Sequence, residues 1–191
     1  MGDLIGKSVK RVEDNRLLKG EGRYTDDFNM PNQTFAVYVR SPHAHANLVS
    51  VDISAAKAMD GVINVFTGKD IKDAGIVGSI CGWQVDFKNG DTMKEPGHPI
   101  LAVDKVRHVG DAVALVIAED IGKAKDAAGA VEVNYEVLDA IVDPKAAVQD
   151  GAPQVHDDVP NNTIFDWELG NKDETDAAFE NAHHITELSY H

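Results

Sequence analysis

Residues 112–120, AVALVIAED, form a near-continuous apolar run that ends only at Glu119 and Asp120. The run lacks the polar alternation that would leave one face to water, so it reads as a strand buried on both faces. Asp120 is placed to cap the next segment, IGKAKDAAGA, as a helix. In that helix Ile121, Ala124 and Ala128 share one face while Lys123 and Asp126 point out. VEVNYEVL (131–138) follows as another strand.

Upstream, FAVYVR (35–40) is rich in β-branched and aromatic residues and reads as a strand. Ser41-Pro42 stops it, because proline has no N–H for a ladder. NLVSVDI (47–53) is a second strand. Ser54 is read as the cap of a short helix, AAKAMD, which Gly61 ends where a left-handed backbone is tolerated. VINVFTG (62–68) is a third strand. Residues 69–98 carry several glycines, Asn89-Gly90 and Pro96, which predict a long loop with at most a short hairpin. A loop of that length in a compact domain is usually functional.

The flanks are plainer. Residues 1–33 read as an extended, charged leading segment punctuated by Gly20, Gly22 and Pro31. Pro144 to Val148 predicts one helical turn. Residues 150–172 are polar, with prolines at 153 and 160, and resemble a connector. TDAAFENA (175–182) predicts a short helix capped by Asp173 or Thr175. HHITELSYH (183–191) alternates imperfectly and predicts a strand whose apolar edge needs neighbouring chain or a partner. With no terminator after it, the chain reads as cut from a longer one or as completed by another subunit.

At 191 residues the chain holds one large or two small domains. A net charge of -14 argues against nucleic acid and anionic membrane as partners. The acid is concentrated late: from residue 150 onward ten Asp and Glu face only Lys172. The single cysteine, Cys81, can form no internal disulfide and cannot supply the thiolates of an iron–sulfur cluster. The N-terminus has no apolar stretch like a signal peptide's, and Gly6 stands where a myristoylation pattern wants Ser or Thr. No run approaches the ~20 apolar residues of a membrane span. These features together predict a cytoplasmic chain.

The residues alone do not assemble a reactive centre. His43 and His45 in VRSPHAHANLVSVD have the spacing of a two-histidine metal site, but no third or fourth ligand accompanies them. They read instead as a turn after Pro42, with imidazoles bonded to backbone and packed between strands. His183 and His184 cannot face one site in an extended segment and read as surface or interface residues. Cys81 lies near Trp83 with no His or basic residue adjacent in sequence to lower its pKa. There is no GxSxG elbow. The glycines of LLKGEGRY precede a strand, which does not support a dinucleotide fingerprint. The alternating charges from Arg11 to Arg16 read as a solvated face, and Asp26-Asp27 has no EF-hand spacing around it.

Longer phrases carry more. Arg11-Val-Glu13-Asp14-Asn-Arg16-Leu17-Leu18-Lys-Gly20-Glu-Gly22-Arg-Tyr24-Thr-Asp26-Asp27 resembles the opening of the molybdenum-binding large subunits of the xanthine dehydrogenase, aldehyde oxidase and carbon monoxide dehydrogenase family. RSPHAHA followed by SAAKAMDGV is similar to that family's next block. VRHVGDAVALVIAED with KAKDAAGAVEVNYEVLDAIVDP is similar to its third. The order and spacing match from about residue 7 to residue 190.

The resemblance implies an α+β fold. A leading extension over 1–16 would precede an α/β-hammerhead domain over 17–140. A connector over 141–172 would lead to the truncated first elements of a molybdopterin-binding domain over 173–191. It implies an oxidoreductase that oxidises or hydroxylates an aldehyde, an N-heterocycle or carbon monoxide. Its molybdenum-pterin cofactor would not be bound by this chain alone. Iron–sulfur clusters and FAD would sit on an iron–sulfur subunit and a flavin subunit or on further domains. The family's pterin-binding loops and general base lie beyond this chain, so no residue here inherits a catalytic, cofactor-binding or metal-binding role, and the chain alone is expected to be inactive. By position, the loop before PILAVDKVRHVG is similar to a segment bordering the family's substrate funnel. Here that gives Trp83, Val85, Phe87 and Met93 as apolar wall and Glu95 and His98 as polar contacts. Two rival readings are a stand-alone binding or assembly module, and a split large subunit completed by a separate cofactor-binding chain.

Overall fold

A computed structural model describes residues 5–190. The run AVALVIA becomes strand β5, and its partners arrive from both sides. The elements in chain order are α1 (Asp14–Leu18), β1 (Phe35–Arg40), β2 (Ala46–Asp52), α2 (Ser54–Lys57), β3 (Val62–Thr67), α3 (Gly68–Asp73), β4 (Lys105–Val106), β5 (Ala112–Ala118), α4 (Ile121–Gly129), β6 (Glu132–Val137), α5 (Pro144–Ala147) and α6 (Lys172–Glu180). They build an α+β architecture with two antiparallel sheets, ordered β1-β5-β3 and β4-β2-β6.

β5 is central in the first sheet, and its two faces meet different cores. Val113 joins Ala46, Ala102 and Val106 in a cluster that Leu48, Val51, Val133 and Tyr135 pack against. Val116 points the other way, into Ala56, Val65 and Ala127 beneath α2 and α4. Both valines are fully buried, each worth about 1.5–3 kcal/mol relative to exposure. That two-faced burial is the physical content of the unbroken apolar run.

Local chemistry sets most ends. The Asp120 carboxylate accepts the Lys123 amide at 2.8 Å and opens α4 as predicted. The face of α4 differs in detail, because Ala124 and Ala127 are the buried pair while Ile121 stands exposed. The cap of α2 also differs: Ser54 is the first helical residue, and the Asp52 carboxylate accepts its amide at 2.9 Å. Gly61 then takes φ +76° before β3. Asp143 accepts the amides of Lys145 and Ala146 and caps α5. α6 begins at Lys172 under Asn171, earlier than predicted, because the Asn171 side chain captures the Glu174 amide.

Three expectations require larger corrections. The leading segment is not simply extended. It forms α1, held by the Arg11–Asp14 ion pair at 2.8 Å, and a 3-10 turn at Thr25–Asp27. Residues 68–73, assigned to the end of a strand and the start of a loop, form α3. Thr67 and Asp70 cap each other reciprocally there, and the Thr67 hydroxyl with its amide holds the Asp70 carboxyl below the usual carboxylate range. Residues 183–190 are not a strand and are exposed throughout. An isolated strand has no ladder to satisfy its backbone, and none of the described residues offers one. His191 lies outside the described residues. No helix among those described is long and apolar enough to cross a membrane.

Candidate functional site

The rings of His43 and His45 each meet the fold through one contact. His45 is buried, and its Nδ1 lies 2.8 Å from the Asp139 carbonyl, which can only accept, so Nδ1 carries the proton. His43 meets the Tyr135 ring edge-on at 4.9 Å. The buried Ser41 hydroxyl donates to the His43 carbonyl at 3.0 Å and closes the turn. Burial pushes the Tyr135 phenol above its ordinary pKa, so it stays neutral.

The long loop is organised as an irregular hairpin. Its neck is an antiparallel bridge between Ser79 and His98, and a second bridge joins Asp86 to Thr92 near the tip. At the neck the Ser79 amide donates to the His98 carbonyl at 3.0 Å. The tip closes through the Gly90 amide on the Phe87 carbonyl at 2.8 Å and the Asp91 amide on Asn89 at 3.0 Å. Glu95 braces the two arms, accepting the Cys81 amide at 2.7 Å and the Gln84 side chain at 2.6 Å. Cys81 is exposed, and its thiol donates to the Trp83 carbonyl.

The connector then clamps this hairpin from outside. The Lys88 amide donates to the Asp166 carbonyl at 2.7 Å, and the Lys94 amide to the Ile164 carbonyl at 2.9 Å. The Lys88 ammonium pairs with Asp166 at 2.8 Å, which holds it above the ordinary lysine range. Trp83 meets Trp167 edge-to-face, with ring centroids 5.7 Å apart. Such a pair is worth about 0.5–1.5 kcal/mol beyond the area it covers.

The predicted wall residues divide into two groups. Met93, Glu95 and His98 line one cavity of about 310 Å³, together with Cys81, His156 and Ile164. Trp83, Val85 and Phe87 lie outside that wall; Trp83 is 60% exposed and serves in the clamp. Sequence reasoning missed the connector's contribution: His156, Ile164, Asp166 and Trp167. The available signal was Trp167, a large aromatic in an otherwise acidic, polar stretch.

The described side chains offer no thiolate set for an iron–sulfur cluster. Among the described residues no three His, Cys, Asp or Glu gather as metal ligands, and the one thiol is spent on a carbonyl. The arrangement can bound a small, largely apolar space and set the Glu95 carboxylate and two imidazoles, His98 and His156, along it.

Comparison with known proteins adds the family. Residues 19–139 match the family described as aldehyde oxidase and xanthine dehydrogenase, a/b hammerhead domain. The chain is 39% identical over 191 residues to the nicotine 6-hydroxylase large subunit of Paenarthrobacter nicotinovorans, covering 99% of this chain and 22% of that protein. It is 36% identical to the carbon monoxide dehydrogenase large chain of Afipia carboxidovorans, covering 98% of this chain and 24% of the relative. Among solved structures, a Cu,Mo-CO dehydrogenase in its carbon monoxide reduced state superposes with a TM-score of 0.74 at 38% identity, covering 94% of this chain and 23% of that one. Quinoline 2-oxidoreductase from Pseudomonas putida 86 gives 0.70 at 36% identity, covering 82% and 19%. The chain thus spans less than a quarter of the length of these relatives.

Proposed function

The chain belongs to the aldehyde oxidase and xanthine dehydrogenase family through its a/b hammerhead domain, and from that premise we propose that it is the amino-terminal portion of a molybdenum hydroxylase large subunit. Residues 17–140 form the hammerhead domain, 141–172 the connector, and 173–191 the opening elements of the cofactor-binding domain. The holoenzyme oxidises or hydroxylates an aldehyde, an N-heterocycle or carbon monoxide. It works in the cytoplasm with an iron–sulfur subunit and a flavin subunit. The exposed, unpaired Cys81 accords with a reducing compartment.

This chain's own part is scaffold and wall. The hairpin 79–98 excludes water from the approach to a reaction centre carried on other polypeptide. It presents Met93 as apolar surface, with Glu95 and His98 as polar contacts. The observation that carries this reading is the clamp. Trp83–Trp167 and Lys88–Asp166 hold an otherwise irregular loop in one position over a cavity of about 310 Å³. A free surface loop would need no such restraint. Exposure of residues 168–190, including Phe179, Leu188 and Tyr190, supports cover by further polypeptide.

The test is Trp83→Ala in the assembled enzyme, assayed on substrates of increasing size. Loosening the clamp is expected to change the ratio of kcat/KM between small and large substrates on the order of tenfold, with the melting temperature little altered. Equal effects on every substrate would refute the wall.

A further inference from the structure

A second cavity, of about 180 Å³, shares His98 and His156 with the first. Its wall comes from three separate stretches: Gly97 to Pro99 at the hairpin base, Arg107 to Asp111 between β4 and β5, and Val155-His156 of the connector. This seam is rich in unspent nitrogen donors. Arg107 donates through Nε to the Val155 carbonyl and through Nη1 to the Lys105 carbonyl, both at 3.3 Å. Its Nη2 has no acceptor among the described residues. The His98 and His156 imidazoles bond to no protein group there either. His108 reaches only Asp111, at 3.8 Å.

Two carboxylates at the seam already accept from protein donors. Asp111 accepts the Arg107 amide at 3.0 Å, and both oxygens of Asp157 face the Lys105 ammonium at 3.1 and 3.3 Å. A permanent cation and three imidazoles therefore outnumber the one carboxylate in the wall. We propose that this seam cavity binds a small free oxyanion, with the Arg107 guanidinium as fixed charge and His98 and His156 as N–H donors. A guanidinium Nη2 with flanking imidazoles suits the oxygens of phosphate and sulfate. Burial first, then Arg107 and His98, hold the His156 imidazole below its ordinary pKa, while Asp158 and Asp157 pull it up. A bound anion relieves that repulsion. Because the wall joins three stretches, the anion also ties the hairpin base to the connector.

The probes are inorganic phosphate and sulfate, titrated into the purified protein against chloride at matched ionic strength. The readouts are the imidazole NMR signals of His98 and His156 and the melting temperature. Saturable shifts of both imidazoles are expected, with the His156 titration moving up when the site is filled. Sulfate binding should strengthen as pH falls and the His156 imidazole gains its proton; sulfate does not titrate there, so the change belongs to the protein. Arg107→Gln should bind about tenfold more weakly, the loss of one charge-assisted hydrogen-bond donor set. His98→Gln, at an exposed position, keeps the fold and should also weaken binding. Shifts that chloride reproduces would overturn the site, as would phosphate affinity equal in wild type and His98→Gln. Anion binding here needs neither molybdenum nor substrate, so its failure leaves the hairpin's role as a wall untouched.

Discussion

Gly78 sits at the neck of the hairpin with φ +89°, and a Cβ built there would lie 2.3 Å from the His98 carbonyl oxygen and 2.8 Å from the Pro99 Cα. Both obstacles are backbone, so neither can swing aside. Gly78→Ala therefore has two costs. The left-handed backbone costs about 1–2 kcal/mol for a residue with a Cβ, and forcing the two arms apart costs a further 1–3 kcal/mol or so. The sum, about 2–5 kcal/mol, falls on the neck and not on the β5 core. Gly97 supplies the control, since a Cβ there meets nothing within 4 Å and its φ is ordinary; Gly97→Ala is expected to be neutral or stabilising by about 0.4–1 kcal/mol. Native-state hydrogen exchange reads the difference directly. The Ser79 amide, bonded to His98 at 3.0 Å, should exchange at least about 30-fold faster in Gly78→Ala, with core amides of β5 unchanged. Equal Ser79 protection in the two variants would show that the neck is not closed as described.

Two further outcomes can be checked on the purified protein. Thr67→Ala removes the cap of α3 and is expected to cost about 1 kcal/mol in urea unfolding; it should also raise the Asp70 pKa, since the Thr67 hydroxyl at 2.7 Å is the main cause of its depression, and an unmoved Asp70 titration would exclude the reciprocal cap. His156, held below its ordinary 6.5 chiefly by burial and then by Arg107, takes its proton more readily in the unfolded chain. Its contribution is therefore neutral above 6.5, and stability falls as pH drops from that value through the lower folded pKa. Urea midpoints should fall more steeply over that range in wild type than in His156→Gln; parallel pH profiles would contradict the burial.

Much of the fold was legible because each rule acted locally. The unbroken apolar run at 112–118 identified the central strand, and Asp120 and Pro144 placed two helix starts. α3 was missed because its reciprocal cap uses Asp70, shorter than the Glu or Gln usually sought at that position. It also directly follows strand residues with no break between. The strand expected over 183–190 failed for the opposite reason: alternation proposes a strand, but only a neighbour's ladder makes one. The positional resemblance singled out six loop residues, of which Met93, Glu95 and His98 line one cavity. Nothing local in residues 79–98 reveals that residues 164–167 return to clamp them, since that contact is set by long-range packing across the connector.

The central claim is that these 191 residues build and brace a wall while the reactive group is held elsewhere. The most direct measurement is molybdenum content together with turnover of an aldehyde, an N-heterocycle and carbon monoxide by this chain purified alone. No stoichiometric metal and no turnover are expected, with activity appearing only when the remaining polypeptide and electron-accepting subunits are supplied. Stoichiometric molybdenum, or turnover by the chain alone, would contradict the account.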